Sequence, residues 1–218
     1  MLEIKDLTIQ YGDKSPVVEN FSLSLKKGEI IAIVGESGSG KSTVLSSILG
    51  LLPNGGKIIS GDIIYNGESM LSKSLNQWRE LRGTEITMIS QDSGGTLNPI
   101  RKIGKQFVEY IQTHSKMSAK EAEEKAEDMF SKVNLPDPEI IMKSYPHQLS
   151  GGMKQRVGIA MALTFHPKII LADEPTSALD VITQAQIVKE IMDLRKKFDT
   201  SIIMVTHNLG VAAYISDK

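Results

Sequence analysis

Ile30-Ile31-Ala32-Ile33-Val34-Gly35-Glu36-Ser37-Gly38-Ser39-Gly40-Lys41-Ser42-Thr43 runs from an almost wholly apolar stretch into a glycine-rich loop, and then into a helical pattern. Five consecutive apolar residues are what a strand buried on both faces requires, so residues 30–34 predict a parallel strand. Val44, Leu45, Ile48, Leu49 and Leu52 then recur at helical spacing, with Pro53 and the pair Gly55-Gly56 as the stop. Strand, glycine loop and helix in that order are the context that gives the motif G-x-x-x-x-G-K-[ST], met by Gly35–Ser42, its meaning. Glycines at Gly35, Gly38 and Gly40 let backbone N–H groups of Ser37, Ser39 and their neighbours turn toward a phosphate without a Cβ in the way. Lys41 is the candidate cation for the β- and γ-phosphate oxygens. Ser42 is the candidate hydroxyl ligand for Mg²⁺, and Thr43 follows it into the helix.

Further runs are placed to complete this loop. Ile169-Ile170-Leu171-Ala172 is a buried strand, and Asp173 emerges at its C-terminal end, where ligands bind in open α/β sheets. Asp173 is expected to hold the Mg²⁺ shell, and Glu174 to polarise an attacking water as general base. Thr206-His207 follows the apolar run Ile202–Val205 in the same way, so His207 is a candidate γ-phosphate contact. Gln91 follows Ile86–Ile89 and is a candidate ligand for Mg²⁺ or for the water. Tyr11, in Ile9-Gln10-Tyr11-Gly12, is a candidate to stack on a base.

A second glycine pair lies far from the first, in Leu149-Ser150-Gly151-Gly152-Met153-Lys154-Gln155. Ser150 would cap the helix that follows, presenting free N–H groups at a second anion site. A chain folded once does not easily bring both sites to one nucleotide, whereas two copies facing each other can.

Outside these motifs, Leu2, Ile4, Leu7 and Ile9 predict an N-terminal strand, Phe21, Leu23 and Leu25 another, and Ile63-Ile64-Tyr65 a further one. From about 93 to 165 the pattern becomes helical. Ser118 and Glu121 form a capping box ahead of the stripe Ala119, Ala122, Ala126, Met129, Phe130 and Val133, whose opposite face carries Lys120, Glu123, Glu124, Glu127 and Asp128. The helix capped by Ser150 is expected to run to about His166, before Pro167. The expectation is a helical lobe, about 93–165, inserted into an α/β core of about 1–92 and 166–218.

Composition narrows the function classes. The 218 residues carry 25 Lys+Arg against 26 Asp+Glu, a net charge of −1, so no global field favours nucleic acid or anionic lipid as a partner. The chain has no cysteine, which leaves no disulfide and no thiolate metal site. No apolar run approaches the roughly 20 residues that cross a bilayer. Any spanning must fall to another chain.

Gly35–Thr43, Gln91, Leu149–Gln155, Ile169–Glu174, Ser177-Ala178-Leu179-Asp180 and His207 occur in the order of the ABC-type ATPases, and the whole chain resembles the nucleotide-binding subunit of an ABC transporter. The resemblance implies a P-loop α/β core with an antiparallel β portion near the N-terminus and an inserted helical lobe. It implies ATP and Mg²⁺ as cofactors. It also implies that Ser150, Gly151 and Gly152 bind the γ-phosphate held by a second ATPase subunit, identical or paralogous, in a head-to-tail dimer. Ser177–Asp180 would pass between the two ATP sites. Tyr145-Pro146-His147-Gln148, Met153-Lys154-Gln155-Arg156 and Gln91-Asp92 followed by Leu97-Asn98-Pro99 are similar to importers of oligopeptides, dipeptides and nickel or metal chelates. Two membrane permease subunits and, indirectly, an extracytoplasmic solute-binding protein are the partners so implied, with the chain peripheral on the cytoplasmic side of the cell membrane. Gln91–Pro99 is where such proteins meet the membrane subunit, and Ser93-Gly94-Gly95 departs from the proline and bulkier residues expected there. The family continues into further core strands beyond the position of Lys218, so the chain is expected to be C-terminally shortened. The alternative is a soluble ABC-type ATPase of DNA repair or translation, which would bring a tandem second ATPase domain, a long coiled coil or a basic arm, none of them visible. A degenerate regulatory module would lack Lys41, Glu174 or His207, and all three are present.

Overall fold

The computed structural model describes every residue of the chain except Asn54 and Ala178. Strands β1 (Leu2–Tyr11), β2 (Val18–Leu25) and β3 (Ile30–Val34) lead into helix α1 (Lys41–Ile48). Then come β4 (Gly56–Tyr65), β5 (Glu68–Ser69), α2 (Leu75–Leu81) and β6 (Ile86–Ile89). Helices follow without an intervening strand: α3 (Ser93–Thr96), α4 (Ile103–His114), α5 (Ala119–Lys132), α6 (Pro138–Lys143) and α7 (Gly151–Leu163). The chain returns through β7 (Ile169–Asp173), α8 (Val181–Phe198), β8 (Ser201–Thr206) and α9 (Leu209–Ile215).

The strands form two sheets. One is antiparallel, in the order β2-β1-β4-β5, and the other parallel, in the order β3-β8-β7-β6. The parallel strands are apolar at nearly every position because each is covered on both faces. Ile31, Ile169, Leu171, Ile203 and Val205 pack with α1 and the antiparallel sheet, while Ile30, Ile170, Ala172, Ile202 and Met204 pack with the helices that follow β6. Burying each such side chain fully is worth about 1.5–3 kcal/mol. On the far side of β3, Asp217 N–H donates to Ile30 O at 2.8 Å and Ala32 N–H to Lys218 O at 3.0 Å, so the last residues lie along that strand.

In β1 the apolar phase slips from Leu2 and Ile4 to Leu7 and Ile9. A β-bulge at this point, with Asp6 at φ 45°, absorbs the odd spacing and leaves all four side chains 0–2% exposed. Gly61 of β4 crosses the bulge at φ +86°, where an added Cβ would stand 2.4 Å from Lys5 O and 2.5 Å from Asp6 O.

The expected strands at 30–34, 86–89 and 169–172 are found, while β4 begins earlier than Ile63, at Gly56. Helix α1 is shorter than its apolar stripe. It stops at Ile48, because Leu51 and Gly50 N–H groups turn back to the carbonyls of Ser46 and Ser47 at 2.9 and 3.0 Å, ahead of the expected stop at Pro53. The Ser118 capping box starts α5 as expected, with Ala122, Ala126, Met129 and Phe130 buried but Ala119 exposed. Helix α7 starts at Gly151 under the Ser150 cap and ends at Leu163 rather than His166. Among the described residues no helix is long and apolar enough to cross a membrane.

Gly61→Ala is expected to destabilise the chain by about 2–4 kcal/mol, since two backbone carbonyls must move and a left-handed residue is strained as well. The midpoint of urea unfolding followed by circular dichroism checks this.

Candidate functional site

The parallel register decides which residues meet. Val34 pairs with Thr206 and Asp173 with Val205, so three chain segments leave the sheet at one level and one edge. A cleft of about 610 Å³ opens there, lined by Val17, Ser37, Gly38, Gly40, Lys41, Ser42, Thr43, Gln91, Asp173, Glu174 and His207.

The floor is the loop after β3. Gly40 caps α1 at φ 86°, a left-handed conformation, and a Cβ on it would lie 2.9 Å from Val17 O and 2.9 Å from Val18 Cγ2. Only glycine admits both the turn and that approach, and together they aim the N-terminus of α1 into the cleft. Lys41 is 9% exposed, its Nζ donating to Gly35 O at 2.8 Å and Glu36 O at 2.6 Å. The ammonium carries three donors, so it braces the loop and keeps one for a phosphate oxygen. Gly35 and Ser39 belong to the same loop but do not line the cleft; Ser39 is exposed, and a Cβ on Gly35 would meet Ser39 Oγ at 3.0 Å.

The walls are acidic. Ser42 Oγ donates to Asp173 Oδ1 at 3.1 Å. Burial, with the carboxylate of Glu174 beside it, pushes the Asp173 carboxyl above its ordinary range, although the Ser42 hydroxyl bond opposes that shift. Glu174 sits at φ 44°, unusual for a residue with a Cβ. Its N–H donates to Val205 O at 2.8 Å, which fixes the turn. Its Oε2 accepts from His207 Nδ1 at 3.0 Å, with Glu174 largely enclosed and His207 open to solvent. Hydroxyl and carboxylate oxygens from Ser42 and Asp173, with Gln91 in the same lining, form a hard-oxygen donor set. Such a set suits a magnesium ion that takes its remaining ligands from phosphate and water.

Two groups of expected site residues lie elsewhere. The Tyr11 ring packs over Gly56, close enough that a Cβ there would be 2.6 Å from Tyr11 Cε1, and Tyr11 does not line the cleft. Val17 lines the cleft; a valine between Pro16 and Val18, just ahead of β2, gave no signal of that position. Nor do Ser150, Gly151 and Gly152 line it. Ser150 caps α7 by accepting from Met153 N–H at 3.3 Å, and a Cβ on Gly152 would lie 2.8 Å from Thr183 Cγ2 of α8. Of the segment Ser177–Asp180, Ala178 lies outside the described residues; Asp180 caps α8 through Thr183 N–H at 3.0 Å.

Residues 18–177 match the profile of the ABC transporter family. The oligopeptide transport ATP-binding protein OppD of Bacillus subtilis (strain 168) is 46% identical over 222 residues, covering 100% of this chain and 62% of its own length. The metal-staphylopine import system ATP-binding protein CntD of Staphylococcus aureus is 42% identical over 220 residues, covering 100% of this chain and 80% of its own length. The chain thus spans less than two-thirds of the OppD relative. The dimeric ATP-binding cassette MJ0796, solved with ADP and Pi in a post-hydrolysis state, superposes with a TM-score of 0.83 at 30% identity, covering 98% of this chain and 91% of that one.

The upward shift at Asp173 means that the charged form is disfavoured in the folded chain. Its burden on stability is absent in acid and grows as the pH rises through the raised value. Asp173→Asn is therefore expected to stabilise the free chain by up to about 1 kcal/mol at pH 8, screened because the carboxylate is half-exposed. The gain should vanish toward pH 4, as thermal unfolding at the two pH values will show.

Proposed function

The chain belongs to the ABC transporter family, and on that premise we propose that it is the ATP-binding and hydrolysing subunit of an importer for peptide or metal-chelate substrates. One observation carries the reading. The cleft brings Lys41, Ser42, Gln91, Asp173, Glu174 and His207 together from separate segments. Each is the residue type that phosphoryl transfer to water needs at that place.

Backbone N–H groups of Gly38–Thr43 and the dipole of α1 bind the phosphates of ATP, and Lys41 bridges their β and γ oxygens. Ser42, Asp173 and Gln91 would hold Mg²⁺, which would supply charge neutralisation at the phosphate oxygens. Glu174 orients a water and takes its proton as the water oxygen bonds to the γ-phosphorus and the bond to the β-phosphate oxygen breaks, giving ADP and phosphate. His207 holds the Glu174 carboxylate from one side and offers its remaining ring nitrogen toward the γ-phosphate. The Ser150-Gly151-Gly152 end of α7 is not in its own cleft. It serves the cleft of a second copy or paralogue placed head to tail, and the family fold solved as a dimer supports that arrangement. Closing and reopening of the pair drives two permease subunits that take substrate from an extracytoplasmic binding protein, with this chain peripheral on the cytoplasmic face. Tyr11 would reach a base only by leaving its seat on Gly56. The relatives named for transport support this reading over one in DNA repair or translation.

Lys41→Ala is expected to weaken ATP binding at least tenfold or so, because it removes the ammonium that both braces the loop and meets the phosphates. Titration with a fluorescent ATP analogue measures it, and unchanged affinity refutes that role. Glu174→Gln is expected to bind ATP normally but to turn over more than about a hundredfold slower. Phosphate release at near-native rate would show that another group activates the water.

A further inference from the structure

We propose that Thr206 is a positioning residue for His207: its buried hydroxyl holds the peptide beyond His207 and so keeps the imidazole at Glu174 in the cleft. The inference rests on the reading of His207 as the γ-phosphate contact and names what sets that side chain in place.

The His207 ring has little of its own to hold it. It is 61% exposed, and among the described residues its one polar partner is the Glu174 carboxylate, reached through Nδ1 at 3.0 Å. Packing cannot orient a ring so open to solvent, so its position is inherited from its backbone. That backbone is gripped on both sides. Thr206 ends β8, opposite Val34 in the ladder, and is 5% exposed. Its Oγ1 accepts from Asn208 N–H at 3.1 Å, spanning His207. Asn208 in turn starts α9, its side-chain oxygen accepting from Val211 N–H at 3.2 Å and its carbonyl from Ala212 N–H at 3.0 Å. Ala212 and Ile215 of that helix are buried. His207 is therefore the single residue between an anchored strand end and an anchored helix cap, and the Thr206 hydroxyl closes the turn.

Strand alternation separates the two roles. Ile203 and Val205 pack on the α1 side of the sheet, Ile202 and Met204 on the other. The same alternation puts Thr206 on the second face and carries His207 to the first, the side of the phosphate loop. His207 lines the cleft and Thr206 does not, so the hydroxyl acts on the ring and not on the nucleotide. The neighbouring peptide holds the other partner, since Val205 O accepts from Glu174 N–H at 2.8 Å. Residues 205–208 thus fix both members of the pair, and a shift of about 1 Å at either end would take it out of hydrogen-bond range. Valine in place of Thr206 keeps the β-branched shape and removes the acceptor, while serine keeps the acceptor. Water can pair the freed Asn208 N–H but cannot hold the turn.

The test measures phosphate release by the full chain at saturating Mg·ATP and one fixed chain concentration. Thr206→Val is expected to lower kcat at least about fivefold with KM for ATP within about twofold, and Thr206→Ser to recover the native rate within about twofold. In a His207→Ala chain the further change Thr206→Val should cost nothing, because the ring it served is gone. A role in folding alone would slow both backgrounds alike, so an equal loss in the His207→Ala chain overturns the proposal. Native turnover by Thr206→Val, a loss carried by KM, or no rescue by Thr206→Ser overturns it as well. Where His207→Ala leaves no measurable turnover, the contrast between the valine and serine variants decides. Should circular dichroism show Thr206→Val unfolded, Thr206→Ala takes its place in the same cycle with the same outcomes. If His207→Ala turns over at the native rate, the reading of His207 fails and this proposal with it. A slow His207→Ala chain beside a native Thr206→Val chain refutes the role of Thr206 alone.

Discussion

Everything at the candidate site follows from the register of parallel strands. In a parallel ladder neighbouring strands run the same way, so the residues after each strand emerge together at one edge. Here Val34 opposite Thr206 and Asp173 opposite Val205 place the phosphate loop, the acidic pair and His207 at one level, though 35 and 207 are far apart in the chain. A slip of one residue would carry Glu174 away from His207 and would also turn the two apolar faces of the sheet inside out. Burial of Ile169–Ala172 and Ile202–Val205 on both sides forbids that slip. Packing energy thus supplies the positional accuracy that the chemistry uses.

Two backbone features convert that shared level into a cleft. Gly40 turns left-handed under Val17 and directs α1 at the space above the sheet. Glu174 turns left-handed as well, carrying a side chain that resists it, and its N–H bond to Val205 O shows what holds the turn in place. Strain of this kind persists only where surrounding structure over-determines it. The result is a carboxylate aimed at His207, beside another carboxylate, Asp173, already paired with Ser42. Burial of Asp173, with the Glu174 carboxylate adding to it, disfavours ionisation of Asp173 in the free chain, a condition that a bound divalent cation would reverse.

The parts legible in the sequence were those governed by one dominant force. Strands β3 and β7 could be read almost to the residue, because a strand covered on both faces is apolar nearly throughout, and β6 was legible from Ile86, Met88 and Ile89 although Thr87 interrupts it and Met88 is exposed. The Ser118 and Ser150 starts were legible because a cap needs a particular side chain at a particular place. Elsewhere two signals competed. The apolar stripe of α1 continues past Ile48 because Leu49 is buried by the core, not because the helix goes on. Most of β4 was hidden because its first half is mostly exposed, with Ile58 and Ile59 set between Gly56-Lys57 and Ser60-Gly61 without alternation, and pairs with β1 through backbone bonds that leave no periodic mark. Nothing in the residues near Tyr11 shows that Gly56 would offer its ring a seat, and nothing marks Val17 as a cleft residue. Both are set by where distant segments of the antiparallel sheet come to rest.

The Ser150 helix end remains the element whose purpose its own chain does not explain. A helix leaves its first N–H groups without intrahelical partners, and Ser150 satisfies that of Met153 while Gly151 stays exposed and Gly152 packs against Thr183. In water the partial positive charge of such an end is worth little, since the solvent screens it within about a turn. Enclosed against a phosphate between two protein surfaces, the same groups act in a medium of much lower dielectric and become several times stronger. An anion site built this way is nearly silent in the free chain and becomes effective when a second surface closes over it. A helix end held against α8, yet absent from its own cleft, has the form such a conditional site requires.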